Sequence, residues 1–172
     1  MKHNYSMKYG NIKIRPLMQD DIEHLRKWRN DSTNTVYLRK IPTITSEQQL
    51  KWFQRYLGND DEMCFAIDLL DKNQIIGSAS LYNFKNNQVE FGKILIGASE
   101  AHGKRAGYNA TSAIIRIAFE QLLVERVILH CYEANYAAVH VYKQVGFTIV
   151  DEHNSPEGLE YIMSINKREF QE

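Results

Sequence analysis

A strand-like run leads almost directly into the start of a helix in the middle of this 172-residue chain. Residues 89–97 read VEFGKILIG, an apolar run typical of a buried strand, and the small-residue segment AHGKRAGYNA follows at 101–110. The first N–H groups of a helix have no intrahelical acceptor, and the helix dipole adds a partial positive charge at this end. The order of strand, Gly-containing loop and helix therefore predicts a cradle for an anionic group such as a phosphate.

Composition narrows the class of protein and its partners. Apolar residues make up 44% and charged residues 24% of the chain, as in ordinary soluble globular proteins, and residues 1–172 are predicted to form one domain. The 21 Lys and Arg residues balance 21 Asp and Glu residues, which argues against nucleic acid as the main partner. The sequence has no apolar signal core and no run near the ~20 residues of a membrane span. We therefore expect a cytoplasmic protein that binds neither nucleic acid nor a membrane.

The two cysteines do not indicate a metal or disulfide site. Cys64 and Cys131 lie far apart and belong to no C-x-x-C motif or Cys/His cluster. We expect free, buried thiols in a reducing compartment and no bound metal.

Hydrophobic periodicity predicts one strand and two helices in the first third of the chain. Residues 11–16 (NIKIRP) alternate between apolar and polar and predict a strand, and residues 21–31 (DIEHLRKWRND) predict a helix. Thr45 and Gln48 have the spacing of a capping box ahead of a second helix. The apolar face of that helix is predicted to contain Leu50, Phe53 and Leu57.

The remaining two thirds predict a sheet with further helices. Three strand-like segments with short polar turns fill residues 64–97 and indicate an antiparallel meander. An amphipathic helix over 108–123 leads to an apolar strand at 126–133, and a short helix then ends at Gly146, a residue suited to a left-handed C-cap. Residues 159–166 are the last predicted strand. The expected fold class is α/β (α+β), a mixed, mostly antiparallel sheet with helices on both faces.

The loop excludes two common nucleotide-binding motifs. It contains neither G-x-x-x-x-G-K-[ST] nor G-x-G-x-x-G, so ATP hydrolysis and nicotinamide chemistry are not indicated. It resembles instead the acetyl-CoA loop of the GNAT family of N-acetyltransferases: Arg or Gln, two residues, Gly, one residue, then Gly or Ala. The corresponding residues here are His102, Gly103, Lys104, Arg105, Ala106 and Gly107. His102 replaces the usual Arg or Gln, and Arg105 replaces a Gly; we expect Arg105 to be tolerated if φ is not positive there and its side chain points outward, toward a phosphate.

A second motif lies downstream in NYAAVHVYKQVGF. It resembles the family signature N-x-x-A-x-x-x-Y-x-x-x-G-F at every marked position. These positions are Asn135, Ala138, Tyr142, Gly146 and Phe147. The two motifs together identify the chain as a member of the GNAT family over roughly residues 64–150. The resemblance implies the GNAT fold with splayed central strands, acetyl-CoA as co-substrate and direct transfer without an acyl-enzyme; family members are often dimeric, so a homodimer stays open.

The resemblance also implies how the co-substrate is held. The strand with Ile94, Leu95 and Ile96 is expected to splay from its neighbour and to pair through its backbone with the pantetheine arm. Backbone N–H groups from Lys104 to Tyr108 are expected to bind the pyrophosphate at the helix start.

Three residues are candidates for the chemistry itself, and Asn135 is a further candidate for binding the co-substrate. The resemblance implies that Asn135 forms a hydrogen bond with the cofactor arm and that Tyr142 donates a proton to the leaving CoA thiolate. The attacking amine must be neutral, and Glu90 or His130 could accept its proton if strand alternation aims either at the cleft, with Glu90 preferred. A solvated Glu90 and a hydrogen-bonded sheet residue at His130 are the alternatives, as is a purely structural role for Tyr142 in the core.

The first two helices and their connection are where the family binds its acceptor. LRKWRND and ITSEQQLKWF resemble the GNAT enzymes that acetylate amino groups of nucleotide-linked sugars. The predicted substrate-binding residues are Trp28, Arg29, Asn30, Tyr37, Arg39 and Trp52. Arg29, Arg39 and Lys40 could pair a diphosphate, and Tyr37 or Trp52 could stack on a base. Packing of both tryptophans in the core is the alternative.

Other acceptors and one other class of function stay open at this point. A small-molecule amine is the expected partner, but a ribosomal-protein N-terminus, as in the RimJ/RimL-like branch, would need an open cleft. A polyamine would need clustered carboxylates, which Asp60, Asp61 and Glu62 could supply. A non-catalytic acyl-CoA-binding module is the alternative to an enzyme, although it would not need a proton donor at Tyr142.

Overall fold

The computed structural model describes residues 2–38, 41–101 and 103–170, which form an eight-stranded sheet with helices on both faces. The strands are β1 Met7–Tyr9, β2 Ile12–Pro16, β3 Glu62–Leu69, β4 Gln74–Lys85, β5 Gln88–Ile96, β6 Arg126–Tyr132, β7 Thr148–Ser155 and β8 Gly158–Asn166. The helices are α1 Ile22–Asn30, α2 Ser46–Leu57, α3 Ala106–Arg116, which continues into a π-helical turn Ile117–Gln121, and α4 Tyr136–Val145. The strand order is β1-β2-β3-β4-β5-β6-β8-β7, and among the described strands β5–β6 is the one parallel pair. The predicted fold class is confirmed.

Local sequence signals set several helix ends. The Thr45 hydroxyl accepts a hydrogen bond from the Gln48 N–H, and the Gln48 side chain accepts one from the Thr45 N–H, so the predicted capping box at α2 is confirmed. Helix α4 ends at Gly146 with φ +111°, as predicted for a left-handed C-cap. None of the helices in the described ranges combines the length and apolarity needed to span a membrane.

The predicted apolar face of α2 is wrong in part. Phe53 is buried, but Leu50 and Leu57 are 37% and 42% exposed. The buried face is rotated because the Tyr56 hydroxyl reaches the sheet, where it accepts a hydrogen bond from the Cys64 N–H at 3.0 Å. A tyrosine with a polar partner on β3 thus outweighs the spacing of the leucines.

Two apolar clusters pack on opposite faces of the sheet. The larger one joins α3 and α4 to residues such as Phe65 and Phe91, and the smaller one joins α1 and α2 to the other face through Ile22, Phe53 and Ala66. Two strands were not expected from sequence: β1 has only three residues, and nearly every side chain of β7 is exposed. Without a buried alternate face, β7 carries no period-two signal and is held by its hairpin with β8.

The two central strands separate toward their carboxyl ends. β5 and β6 pair only as far as Glu90 and Ile128 in the described chain. Beyond that point β5 stays paired with β4 up to Ile96, while β6 stays paired with β8 up to Tyr132. Backbone groups of both strands therefore face a wedge-shaped opening, as expected for splayed central strands.

Candidate active site

A cavity of about 390 Å³, here called the splay cavity, lies beside the end of β5 that is not paired with β6. Its walls come from β5, the first turns of α3 and α4, and the segment after α1. Of the residues predicted to hold the co-substrate or act on it, it is lined by Ile94, Leu95, Ile96, Gly107, Asn135 and Tyr142. The structure therefore brings together two motifs that lie about 30 residues apart in sequence.

The loop before α3 leads into the first turn of that helix, where Gly107 lines the cavity. Gly103 and Arg105 both have positive φ, +73° and +54°, and no side chain caps the first N–H groups of α3. The N–H groups of Ala106, Gly107 and Tyr108 lie in that first turn, where helix geometry leaves donors without intrahelical acceptors. This is the arrangement that binds a phosphate at a helix start. His102 lies outside the described residues.

The conformation of Arg105 differs from the expectation. Arg105 was expected to be tolerated if its φ is not positive, and this condition is not met: Arg105 has φ +54° and ψ +25° as the N-cap of α3. A left-handed conformation costs a non-glycine residue about 1 kcal/mol. The Arg105 guanidinium carbon lies 4.6 Å from the centroid of the Tyr108 ring. This cation–π contact offsets part of that cost.

Lys104 and Gly107 differ in what they contribute at the start of α3. The Lys104 ammonium pairs with Asp71 at 2.9 Å and its N–H donates to the Ala101 carbonyl at 3.2 Å, so both groups already have partners within the chain. A Cβ atom added to Gly107 would meet no heavy atom within 4 Å, although the residue lines the cavity. The missing side chain at Gly107 thus leaves room beside the helix start for a bound molecule.

Helix α4 brings Asn135 and Tyr142 to the same cavity. Asn135 caps the helix, its Oδ1 accepting from the Ala138 N–H at 3.3 Å. The Tyr142 ring packs edge-on against Phe91 and Phe147, with centroids 6.2 and 6.0 Å away, and only 6% of the residue is exposed. Burial raises the pKa of the Tyr142 phenol above its usual range, so the hydroxyl holds its proton at neutral pH. A protonated phenol at the cavity wall can donate that proton.

The two candidate bases do not reach the cavity. The carboxylate of Glu90 accepts hydrogen bonds from the Tyr82 hydroxyl at 2.6 Å and from Asn83 Nδ2 at 2.8 Å. His130 is exposed and lies 3.7 Å from a carboxylate oxygen of Glu160. Neither Glu90 nor His130 lines the cavities described here. Their strand neighbours fill the core under α3 and α4, and alternation turns Glu90 and His130 to the opposite face.

A second cavity of about 740 Å³, here called the helix cavity, lies between α1, α2 and the sheet. Leu38 and Leu95 line both cavities, so the two meet at the splayed end of β5. The charged residues among its described lining are Arg29, Arg55 and Lys93, and no Asp or Glu is among them. Trp52 lines the same wall and stacks on Tyr56 with ring centroids 5.9 Å apart. The helix cavity therefore combines positive charge with a flat aromatic surface.

The predicted acceptor residues divide into several groups. Arg29 and Trp52 line the helix cavity, and burial lowers the pKa of Arg29 from its usual high range. Trp28 does not line it: its indole covers Gly97 and joins the core, which confirms the alternative role. Tyr37 lines the splay cavity instead. Arg39, with Lys40, lies outside the described residues.

Asn30 takes a structural position instead of lining a cavity. Its Oδ1 accepts from the Ile44 N–H at 2.8 Å, and its Nδ2 donates to the Ile44 carbonyl at 2.9 Å. Arg26 Nη1 donates to the same carbonyl at 3.2 Å. This pairing, here called the Ile44 clasp, ties the end of α1 to the segment that enters α2, and Ile44 itself lines the helix cavity.

The carboxylates considered for a polyamine site are not available in the helix cavity. Asp60 and Asp61 are exposed in the turn before β3. Glu62 is buried and accepts a hydrogen bond from the Lys93 ammonium at 2.7 Å, and this contact keeps its pKa low although burial alone would raise it. Lys93 stands at a bulge in β5 with φ +53°, where the register with β4 shifts.

Sequence reasoning missed Arg55 and Lys93 as cavity residues. Arg55 follows Trp52 by three positions on α2, so helical spacing could have placed it on the same wall. Gly92, directly before Lys93, lies at the edge of the bulge that turns Lys93 into the cavity, and an isolated glycine within a strand pattern was the available signal for it. No sequence signal indicated Thr111, whose hydroxyl is buried at the splay cavity without a hydrogen-bond partner among the described residues.

Covalent and metal chemistry find no support in the described residues. Burial raises the pKa of the Cys64 thiol to about 12 and that of Cys131 to about 11, so both stay protonated and weakly nucleophilic at neutral pH. No group of three His, Cys, Asp or Glu residues within the described ranges is placed to hold a metal ion.

Comparison with known proteins points to one family. The family model for the acetyltransferase (GNAT) domain matches residues 11–148. Acetyltransferase PseH of Campylobacter jejuni is 30% identical over 136 residues, which cover 79% of this chain and 82% of that protein. Spermidine N-acetyltransferase from Vibrio cholerae, solved with CoA and spermine, superposes with a TM-score of 0.82 at 20% identity, covering 92% of this chain and 97% of that one. The apo structure of FdhC, a nucleotide-linked sugar GNAT, also gives 0.82 at 18% identity, with 97% and 93% covered.

Proposed function

Because the chain belongs to the GNAT family of acetyltransferases, we propose that it acetylates the primary amine of a nucleotide-linked amino sugar. The chain is an N-acetyltransferase, and acetyl-CoA is its co-substrate. The observation that carries the choice of acceptor is the charge of the helix cavity. Its described lining contains no carboxylate and the three cations Arg29, Arg55 and Lys93, of which Lys93 is paired with Glu62, so it favours an acceptor with anionic groups.

The splay cavity fits an extended co-substrate with a pyrophosphate. Unpaired backbone groups of β5 can hydrogen-bond an extended arm, and the first turn of α3 offers N–H donors to phosphate oxygens. Gly107 keeps the space beside that turn free of a side chain. Acetyl-CoA, when bound, supplies the acetyl thioester that the amine attacks.

Tyr142 acts in this proposal as the general acid. Its phenol lines the splay cavity near Leu95, the residue shared with the helix cavity, and its raised pKa keeps the proton available. A phenol in hydrogen-bond reach of the sulfur gives its proton to the CoA thiolate as the thioester bond breaks. Asn135, whose Oδ1 caps α4, would use its Nδ2 to hold the arm in register.

The acceptor amine loses its proton without a dedicated carboxylate in this proposal. Glu90 is held by Tyr82 and Asn83, and His130 lies outside both cavities. Positive charge in the helix cavity disfavours an ammonium group and so lowers the pKa of a bound amine. The amine then enters the reaction neutral, and its proton leaves through water.

A polyamine is the contrasting acceptor, since one structural neighbour is a spermidine N-acetyltransferase. A polycation requires carboxylates, and the nearest buried one, Glu62, is neutralised by Lys93 at 2.7 Å. The charge of the helix cavity therefore favours the sugar nucleotide.

The test is an acceptor panel with the purified full chain. CoA-thiol release would be measured with acetyl-CoA and a UDP-linked amino sugar, the matching free amino sugar, spermidine and an N-terminal peptide. A UDP-linked sugar without an amine controls for acetyl-CoA hydrolysis. We expect the highest kcat/KM for the UDP-linked amino sugar. Equal or better turnover of spermidine or of the peptide would refute the proposed acceptor.

A further inference from the structure

A shallow groove of about 460 Å³, here called the outer groove, runs along the exposed side of α2. It is lined by Gln48, Lys51, Gln54 and Arg55. Gln48 and Arg55 also line the helix cavity, as Leu38 and Leu95 line both the helix cavity and the splay cavity. The three spaces therefore lie side by side in one order: the splay cavity, the helix cavity and the outer groove.

Arg55 is the cation at the junction of the helix cavity and the outer groove. It is exposed and forms no ion pair with any residue in the described part of the chain. Other cations nearby are paired: Lys93 with Glu62 at 2.7 Å and Lys51 with Glu47 at 2.6 Å. The guanidinium of Arg55 thus keeps five donors in a planar fork, the geometry that matches phosphate oxygens.

An aromatic surface lies on the same stripe of α2. Gln48, Trp52 and Arg55 are separated by four and three positions, so they share one side of the helix. The Trp52 ring is nearly parallel to the Tyr56 ring, at an angle of 12°, and this stacking fixes its orientation at the cavity wall. An indole beside a guanidinium suits a ligand that carries both a flat ring and phosphates.

We propose that Arg55 binds the phosphate groups of a nucleotide-linked acceptor where the helix cavity opens into the outer groove. This inference rests on the proposed function and adds the position of the substrate. The amine end reaches Leu38 and Leu95, where the two cavities meet, and the nucleotide end lies over Gln48 and Trp52. Arg55 is then a specificity residue for the phosphates and takes no part in acetyl transfer.

The first test is the binding of UDP to the full chain in the presence of saturating CoA. CoA fills the splay cavity, so UDP cannot report on the co-substrate site. Binding is followed by tryptophan fluorescence, because Trp52 lines the helix cavity whereas Trp28 packs in the core. We expect Arg55→Gln to weaken UDP binding about 10- to 100-fold, Arg55→Lys to restore part of it, and Lys85→Gln, an exposed change at the end of β4, to leave it unchanged.

Steady-state kinetics separate this inference from the proposed function. Arg55→Gln should raise KM for a UDP-linked amino sugar far more than KM for the free amino sugar, which has no phosphate, and should leave KM for acetyl-CoA unchanged. Equal UDP affinity in wild type and Arg55→Gln, or no UDP binding to the CoA-saturated wild type, would overturn the role of Arg55. If the wild type acetylates spermidine or a peptide but no sugar nucleotide, the proposed function itself fails. Equal thermal midpoints of all variants would exclude misfolding as the cause.

Discussion

The splay cavity and the helix cavity meet at Leu38 and Leu95 but are built from different parts of the polypeptide. Main-chain features dominate the first: strands that stop pairing after Glu90, and the open first turn of α3. Side chains dominate the second, where arginines, a lysine and a tryptophan define charge and shape. This contrast fits the proposed function, in which the splay cavity holds the shared co-substrate and the helix cavity selects the acceptor.

The largest expected effect on turnover is at Tyr142. Its phenol is the one group in the proposed splay-cavity chemistry that no backbone group can supply. Tyr142→Phe removes the phenolic proton and keeps the ring packing against Phe91 and Phe147. Because general acid catalysis contributes about 10²–10⁴-fold, we expect kcat to fall at least ~100-fold. Steady-state CoA-thiol release measures this fall.

Binding of acetyl-CoA should be unchanged in the same variant. At ~100 times its dissociation constant, the ligand should stabilise both proteins by ~2.7 kcal/mol in thermal unfolding. Tyr136→Phe is the matched control, since Tyr136 lies on the same helix and is 74% exposed. Wild-type turnover in Tyr142→Phe would show that this tyrosine is a core residue only.

The second effect concerns space in the splay cavity. Gly107 meets no heavy atom at its Cβ position and is not at positive φ, so Gly107→Leu should fold normally and gain a few tenths of a kcal/mol in helix propensity. The leucine would occupy the space beside the first turn of α3, and we expect the Kd of acetyl-CoA to rise ~10-fold or more. Calorimetric titration with acetyl-CoA measures it. Unchanged affinity with unchanged stability would place the co-substrate elsewhere.

The contrast between the two cavities also explains what could be predicted from sequence. The spacing of Asn135, Tyr142 and Gly146 is a local property of one helix, and the strand, loop and helix order is a local property of the segment before it. Such local features do not depend on distant contacts. Six of the residues predicted for the co-substrate or the chemistry therefore line the splay cavity. The positive φ of Arg105 was not predictable, because it depends on how the whole loop closes onto α3.

The helix cavity was less predictable because its lining depends on tertiary contacts. Trp28 and Trp52 have similar helical surroundings in sequence, yet one covers Gly97 and the other lines the cavity. Lys93 enters the wall only through a strand bulge. The side chains of β5 around Glu90 do alternate between the two faces of the sheet. Which face Glu90 points toward depends on which side α3 and α4 cover, and the local sequence does not indicate that side.

A third prediction tests whether the helix cavity depends on the Ile44 clasp. Asn30→Asp keeps an acceptor for the Ile44 N–H but sets a carboxylate oxygen against the Ile44 carbonyl. The variant loses the Nδ2 donor and places two oxygens against each other, so the free energy of unfolding should fall by about 1–3 kcal/mol. We expect KM for the acceptor to rise several-fold while KM for acetyl-CoA stays constant.

Denaturant unfolding and paired KM measurements check this prediction. Asn154→Asp, an exposed change in β7, controls for the added charge. A rise in acceptor KM with no loss of stability would contradict the clasp and restore Asn30 as a direct substrate ligand.

The smallest effect is a pH dependence of stability at His3, which packs against β3. His3 Nε2 lies 3.1 Å from the Cys64 carbonyl of β3, where it can donate a hydrogen bond, and the ring packs on Phe65. Burial is the main cause that lowers the pKa of His3, and the neighbouring Lys2 charge adds to it. In the unfolded chain the pKa of histidine returns to about 6.5, so unfolding takes up a proton as the pH falls below that value. Folding stability therefore decreases from pH 7 toward the lower folded pKa, by at most about 1.4 kcal/mol per pH unit and by less for a half-exposed ring.

His3→Phe should flatten this dependence because phenylalanine keeps the ring contact and cannot be protonated. The variant loses the hydrogen bond to Cys64, so it should be slightly less stable than wild type at pH 7.5 and closer to it at pH 5.5. Thermal midpoints at both pH values, with and without CoA, measure the effect. The CoA-induced shift in midpoint should be the same in both proteins, because His3 contacts β3 and not the splay cavity. A CoA-induced shift that changes with the His3 substitution would mean that β3 is coupled to the splay cavity, and that co-substrate binding does not depend on the main-chain features of that cavity alone.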